Sequence, residues 1–282
     1  MNIIYSLQEI QILIDQLKRE GKTIGFVPTM GALHAGHIAL VKRSAAENDC
    51  CVVSIFVNPT QFNDKNDLEK YPRTLEADCL LLEPAGCSIV FVPDENEMYP
   101  EPDTRQFLFG ALERGMEGAH RPGHFNGVAQ IVSKLFDAIQ PGKAYFGEKD
   151  FQQLAIIRDM VRQLKLKIEI VSYPIVREKD GLAMSSRNTR LNPKQRKASV
   201  IISQTLFESQ TKMPFMPVSE LKQWIISTIN QNRLLQTEYM EIVDGNTLQP
   251  VPEWNASDYI VGCVAVFCGD VRLIDNVQYK LI

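Results

Sequence analysis

Apolar residues recur at helical spacing near the start of the chain. Leu7, Ile10, Ile14 and Leu17 follow the i, i+3, i+4, i+7 rule of a helix with one buried face; Ser6 and Glu9 offer a capping box and Gly21 a stop. Apolar runs too short for helices then alternate with helical stretches. TIGFV (23–27), CVVSIFV (51–57), CSIVFV (87–92), KAYFG (143–147) and KIEIVSYPIV (167–176) read as extended, and 38–48, 75–86, 127–139 and 150–164 as helical. Strands without alternation, each followed by a helix, predict a parallel sheet covered on both faces. In such sheets ligands bind beyond the carboxyl ends of the strands. The loops to inspect are therefore 28–37, 58–72, 93–126, 147–150 and 177–192.

After residue 176 the pattern changes. Helices at 193–209 and 218–230 precede EYMEIVD (238–244), DYIVGCVAVFCG (258–269) and VRLIDNV (271–277), and Gly269–Asp270 between the last two is a hairpin signal. The expectation is α/β: a Rossmann-like parallel sheet with helices on both faces over 1–176, and a smaller α+β domain with an antiparallel sheet over 177–282.

Composition narrows the function classes. Thirty basic against thirty-four acidic residues give a net charge of −4, without the footprint of a nucleic-acid partner. Most of the six cysteines lie among Val, Ile, Leu and Phe, no CxxC occurs, and Cys263 and Cys268 have no histidine nearby, so no zinc site is expected, and the sequence locates no metal ligands. The first 21 residues lack a basic leader and carry Glu9 and Asp15, arguing against a signal peptide or a membrane span and for a reduced, cytoplasmic setting.

The candidate chemistry sits in the strand-end loops. PTMGALHAGH (28–37) brings two of four histidines, His34 and His37, to a helix start among small residues. A helix N-terminus attracts anions, and two imidazoles add donors to a phosphate; capping and partial burial explain one histidine each equally well. In NPTQF (58–62), Asn58–Pro59 makes a turn and Gln61 presents an acceptor and two donors, for a hydroxy acid or for bracing the loop. The polar stretch 63–72 reads as a lid or a plain solvated loop. In FGEKD (146–150), Lys149 is a point charge for a phosphate or a surface residue, and Asp150 a possible helix cap. Gln153 lies one helical turn on. In MSSR (184–187), two hydroxyls and a guanidinium suit phosphate oxygens, or belong to a surface loop. His120, Arg121 and His124 of HRPGHFNGV either complete a carboxylate pocket or merely precede a helix.

The H-x-G-H string resembles the signature of the HIGH-motif nucleotidyltransferase superfamily. The longer PTMGALHAGH, with VNPTQF (57–62), RPGHFNGV (121–128), YFGEKDFQQL (145–154) and AMSSRN (183–188) in the same order, resembles its pantoate–β-alanine ligase family. The resemblance runs from about residue 23 to 192 and departs at Ala35, where that family often carries glutamate. It implies condensation of pantoate with β-alanine through a pantoyl adenylate, with ATP as co-substrate, Mg²⁺ shared with its phosphates, and a homodimer. By the same resemblance, catalysis falls to His37, His34 and Lys149. ATP contacts fall to Met30, Gly31, Ala32, Leu33, His34, Ala35, Gly36, His37, Gly147, Glu148, Lys149, Asp150, Val176, Met184, Ser185, Ser186 and Arg187. Gln61, Gln153 and Asn58 fall to pantoate and β-alanine.

Three other readings use the same loops. A transferase placing a nucleotide on a phosphate ester has less use for paired glutamines. A tRNA-charging enzyme lacks an evident basic anticodon module in 282 residues. A nucleotide sensor would bind ATP without releasing pyrophosphate.

Overall fold

The computed structural model describes residues 1–63 and 65–281. Along the chain the elements are β1 (Asn2–Ile4), α1 (Leu7–Arg19), β2 (Ile24–Thr29), α2 (Ala35–Glu47), β3 (Cys50–Ile55), α3 (Lys65–Glu69), α4 (Leu75–Leu82), β4 (Ile89–Phe91) and α5 (Glu95–Met98). They continue as α6 (Met116–His120), α7 (His124–Ile139), β5 (Lys143–Gly147), α8 (Phe151–Gln163), β6 (Glu169–Tyr173), α9 (Pro193–Lys212), α10 (Val218–Asn230), β7 (Leu235–Asp244), β8 (Tyr259–Cys268) and β9 (Val271–Leu281). The stretch 63–72 contains α3, and Tyr71 is buried with its ring edge-on to Phe62; Asp64 lies outside the described residues.

Internal packing groups the chain into two compact units: Met1–Phe109, Arg121–Glu148 and Ile156–Pro174 in the first, Gly110–His120, Lys149–Ala155 and Ile175–Ile282 in the second. The change of pattern near residue 176 falls beside the Pro174/Ile175 division.

The first unit is built on a six-stranded sheet in the order β1-β4-β3-β2-β5-β6, with every pair parallel. The edge strand β1 escapes the sequence pattern because it is three residues long and mostly exposed. On one face Val27, Val53, Val90 and Tyr145 pack with Leu40 and Val41 of α2 and Leu82 of α4. On the other, Phe26 meets Phe136 of α7 edge-on at 6.2 Å, and Phe136 meets Phe146 at 6.5 Å. Each such side chain contributes about 1.5–3 kcal/mol on burial. Helix α2 is also tied to the sheet: Tyr145 Oη donates to Glu47 (2.9 Å), Asn48 Nδ2 donates to Tyr145 Oη (2.8 Å), and Arg43 Nη1 donates to the Ser172 carbonyl (2.9 Å). The chain runs from β2 to β3 and β4 on one side, then to β5 and β6 on the other. The switch point therefore lies between β2 and β5, the position at which sheets of this kind bind ligands.

The second unit carries the antiparallel sheet β7-β8-β9. The β8–β9 turn is Gly269–Asp270, with Cys268 opposite Val271 and Gly269 at φ +64°. Helices α9 and α10 cover one face, with Ile202, Leu206, Leu221 and Ile225 against Met240, Val264 and Leu273. The other face exposes Val243, Val261 and Cys263, and Met116, Phe151 and Leu248 cover them. This is why 110–120 and 149–155 group here rather than with their neighbours in sequence. Gln152, 4% exposed, fastens the two insertions together by donating to the carbonyls of Leu112 (2.8 Å) and Gly115 (2.9 Å). Among the described residues no helix is long and apolar enough to cross a membrane.

Candidate active site

Beyond β2 the chain turns sharply into α2. Thr29 Oγ1 donates to the Ser54 carbonyl (2.7 Å) and accepts from Gly31 N–H (3.2 Å). Gly31 takes φ +82°, and a Cβ there would lie 3.1 Å from both Asp78 Oδ2 and Ile55 Cγ2. Ala32 follows at φ +50°, a backbone conformation that needs support in a residue with a Cβ. Asp78 of α4, 1% exposed, supplies it. Its carboxylate accepts from Ala32 N–H (3.0 Å), Leu33 N–H (2.8 Å) and Thr74 Oγ1 (3.2 Å). Those two backbone donors are therefore spent on Asp78.

His34 is the N-cap of α2, and His37 answers it. The Nδ1 of His34 accepts from Gly36 N–H (3.1 Å), while the His34 backbone N–H donates to Nδ1 of His37 (3.3 Å). The ring centroids stand 4.1 Å apart. Backbone N–H groups can only donate, so both Nδ1 atoms are acceptors and both neutral rings carry their proton on Nε2. Capping and donation are thus compatible: Nδ1 caps while Nε2–H serves as the donor.

Gln61 ends the 3₁₀ turn Pro59–Gln61 after β3. Its neighbour Asn58 is 1% exposed and fully engaged. Asn58 Nδ2 donates to the Gly127 carbonyl (3.2 Å) and to Gln61 Oε1 (3.1 Å), and its Oδ1 accepts from Tyr99 (2.8 Å) and Thr60 (3.1 Å) hydroxyls. Burial pushes the Tyr99 phenol up, which keeps it a donor. The Gly127 carbonyl fixes which end of Asn58 is the amide nitrogen, and Asn58 in turn fixes Gln61. The Gln61 amide nitrogen is left against Met30 Sδ (3.0 Å), a weak acceptor that a substrate oxygen readily outcompetes.

The RPGHFNGV string supports this loop from below. His124 Nδ1 lies 2.8 Å from the Gln61 carbonyl, which makes Nδ1 the protonated nitrogen. Gly127 lets the loop lie on α7, since a Cβ there would stand 2.5 Å from the Thr60 carbonyl oxygen. His120 instead sits in the second unit, 3.7 Å from Glu238 and stacked on Tyr239 at 5.4 Å.

In the second unit, Lys149 and Asp150 pair at 3.8 Å, and Asn276 Nδ2 donates to the Lys149 carbonyl (3.1 Å). Gln153 is half-buried, and its amide takes no hydrogen-bond partner among the described residues. Val176 accepts from Met184 N–H (3.0 Å), closing a loop that presents Met184–Arg187. Ser185 caps the 3₁₀ turn Ser186–Arg190 by accepting from Arg187 N–H (3.2 Å), leaving its own hydroxyl proton to donate.

The candidate residues thus fall in two groups. Met30 to His37, Asn58, Gln61, Gly147 and Glu148 belong to the first unit, and Lys149, Asp150, Gln153, Val176 and Met184 to Arg187 to the second. Sequence reasoning missed Asp78 and Tyr99, which brace these loops. The available signal for Asp78 was a carboxylate inside the apolar run LEADCLLL. Among the described residues no cluster of three His, Cys, Asp or Glu forms a metal cage.

Known proteins resemble this one over nearly the full chain. The family model described as pantoate-beta-alanine ligase matches residues 2–278. The pantothenate synthetase of Bacteroides fragilis (strain YCH46) is 61% identical over 280 residues, covering 99% of each chain, and that of Porphyromonas gingivalis (strain W83) is 54% identical, covering 99% of this chain and 100% of its own. The crystal structure of pantothenate synthetase from Thermus thermophilus superposes with a TM-score of 0.93 at 41% identity, covering 99% and 100%. That of the Francisella tularensis pantoate-beta-alanine ligase, complexed with beta-gamma ATP and beta-alanine, does so at 0.83 and 34% identity, covering 99% and 98%. A fold, a set of strand-end loops and a full-length likeness at this identity lead to one family: the chain belongs to the pantoate–β-alanine ligases.

Proposed function

We propose that this chain joins pantoate to β-alanine at the expense of ATP, in two steps. The pantoate carboxylate attacks the α-phosphorus and pyrophosphate departs; the β-alanine amine then attacks the acyl carbon of the pantoyl adenylate, releasing AMP and pantothenate. Neither step needs a protein nucleophile. The protein's task is to hold the reactants in line and to meet charge growing on phosphate oxygens.

The observation that carries this reading is the reciprocal cap of His34 and His37, which dedicates Nδ1 of each ring to backbone and the Nε2 proton to donation. Neutral donors at a helix N-terminus suit a polyanion that must also leave. His37 is the donor to the departing phosphate in this reading, hydrogen-bonding through its Nε2–H, with His34 beside it. Lys149, Ser185, Ser186 and Arg187 hold the triphosphate, Arg187 by its bidentate fork. Met30 to Gly36, Gly147, Glu148, Asp150, Val176 and Met184 line the nucleotide. Gln61 and Gln153 orient pantoate. Asn58 acts at one remove, because its amide is spent on aiming Gln61.

Mg²⁺ arrives on the nucleotide, bound largely by phosphate oxygens and water, as this ion prefers. The chain's donor set fits that role through the half-exposed Asp150 carboxylate beside Lys149. The reading further includes a cytoplasmic location and a homodimer; light scattering that finds only monomer would refute the latter.

The test is pyrophosphate release from ATP and Mg²⁺, with pantoate alone and then with β-alanine. Pantoate-dependent release that becomes continuous on adding β-alanine, with AMP and pantothenate as products, is the expected result. No response to pantoate would sink the acceptor assignment.

A further inference from the structure

The functional reading assigns Lys149 and the 184–187 loop to one triphosphate, although they lie 35 residues apart in sequence (184 − 149 = 35). Within the second unit they are tied to two adjacent residues of β9, Asp275 and Asn276. Asp275 is 4% exposed and grips Arg177 through two parallel bonds, Nη1 to Oδ2 at 2.7 Å and Nη2 to Oδ1 at 2.8 Å. Arg177 also donates to the Gly181 carbonyl (3.0 Å) and the Asn276 carbonyl (3.3 Å), and its guanidinium lies 4.7 Å from the Phe207 ring centre. Residues 177–183 are therefore pinned at the base of the loop, where Arg177 pairs with Ala183 and Met184 N–H reaches Val176. The residue after Asp275 completes the link. Asn276 N–H donates to Asp275 Oδ1 (2.7 Å), and its side chain holds the Lys149 carbonyl (3.1 Å).

We propose that Asp275, with Arg177 and Asn276, is a positioning residue for the nucleotide: a buried hub that sets Lys149 and the Ser185–Arg187 turn in register for one triphosphate. A buried ion pair adds little net stability compared with apolar packing. This one spends its remaining hydrogen bonds on the backbone of Gly181, at the base of the 184–187 loop, and of Asn276, whose side chain holds the Lys149 carbonyl. Because Arg177 neutralises Asp275, the pair brings no net negative charge to the neighbourhood of Lys149. Burial pushes the Asp275 carboxyl up, opposed in part by the bidentate Arg177 and then by the Asn276 N–H and Lys149.

The proposal rests on the ligase reading, and the experiment separates the two. Pantoate-dependent ATP–pyrophosphate exchange by the unaltered chain comes first; its absence would overturn the reading before any variant is made. Asp275→Asn keeps the volume and removes the charge. It should raise KM for ATP roughly 10- to 10²-fold while leaving KM for pantoate within about threefold, the scale of losing a supporting residue or misplacing a contact by about 1 Å. A merely structural role lowers the active fraction, so kcat falls and neither KM moves; that result, or wild-type kinetics, overturns the proposal. Asn276→Ala leaves the ion pair intact and should still raise KM for ATP by roughly 3- to 10-fold, which carries the test if Asp275→Asn fails to fold. In a Lys149→Met background the cost of Asp275→Asn should shrink, and strict additivity counts against the hub. An unchanged KM for ATP in Lys149→Met alone would remove the Lys149 assignment and this proposal with it.

Discussion

Gly127→Ala is the perturbation whose outcome the structure constrains most tightly. Gly127 lies in the first turn of α7 with the 58–62 loop resting on it, and an added Cβ would stand 2.5 Å from the Thr60 carbonyl oxygen, 2.7 Å from its carbon and 3.0 Å from Gln61 Cα. All three are backbone atoms, so no side chain can swing aside. Restoring ordinary contact requires moving the loop by 3.4 − 2.5 = 0.9 Å. Helix propensity opposes the damage, since alanine in a helix is worth about 0.5–1 kcal/mol over glycine. Overpacking costs about 1–3 kcal/mol, so the net effect is a loss of about 1 kcal/mol.

Activity reports the same shift more sharply. The displaced backbone carries Gln61, and a misplacement of about 1 Å costs roughly 10²-fold in a well-aligned site. In the pyrophosphate exchange assay, kcat/KM for pantoate should fall roughly 10- to 10²-fold with KM for ATP unchanged. Gly127→Ala with wild-type pantoate kinetics and an equal or higher Tm would refute the reasoning, because the loop would then yield without consequence for Gln61.

Three further outcomes follow from other contacts. His34→Asn keeps a capping oxygen but loses the ring donor, so thermal stability should hold while the exchange rate falls roughly 10²-fold; matching losses in both would mean that His34 only caps. Asp78→Asn replaces an acceptor facing backbone N–H groups with a donor, and urea titration should find it less stable by about 1–3 kcal/mol. The Arg43 guanidinium, then the Tyr145 hydroxyl, hold the Glu47 carboxyl down at about 2 from an ordinary 4.5. Its folded value lies below the unfolded one, so its stabilising share is present above about pH 4.5 and lost as pH falls toward 2. Glu47→Gln should accordingly flatten the stability profile across that window, and profiles that superimpose there would contradict the ion pair.

Some of this was readable because it is local. Apolar runs such as CVVSIFV followed by amphipathic helices reach the parallel sheet, and Gly269–Asp270 reaches the hairpin of the second unit. His34 and His37, three residues apart at a helix start, meet as their spacing implies. The 63–72 stretch looked like polar loop because its composition hides the buried Tyr71. Asn58 is legible as a turn asparagine, but nothing local signals its partner 69 residues away.

The sequence by itself determined the classes of element, the strand-end loops and the chemical vocabulary of the site, because hydrophobic period and turn chemistry act over a few residues. Tertiary structure alone decided which groups are free to react and which are spent. Asp78 reaches back 46 residues to hold Ala32, and Arg177 reaches forward 98 to Asp275. Such partners are chosen by strand order and by closure of long loops, whose entropy grows only slowly with length. Their separation therefore leaves no periodic trace in the chain.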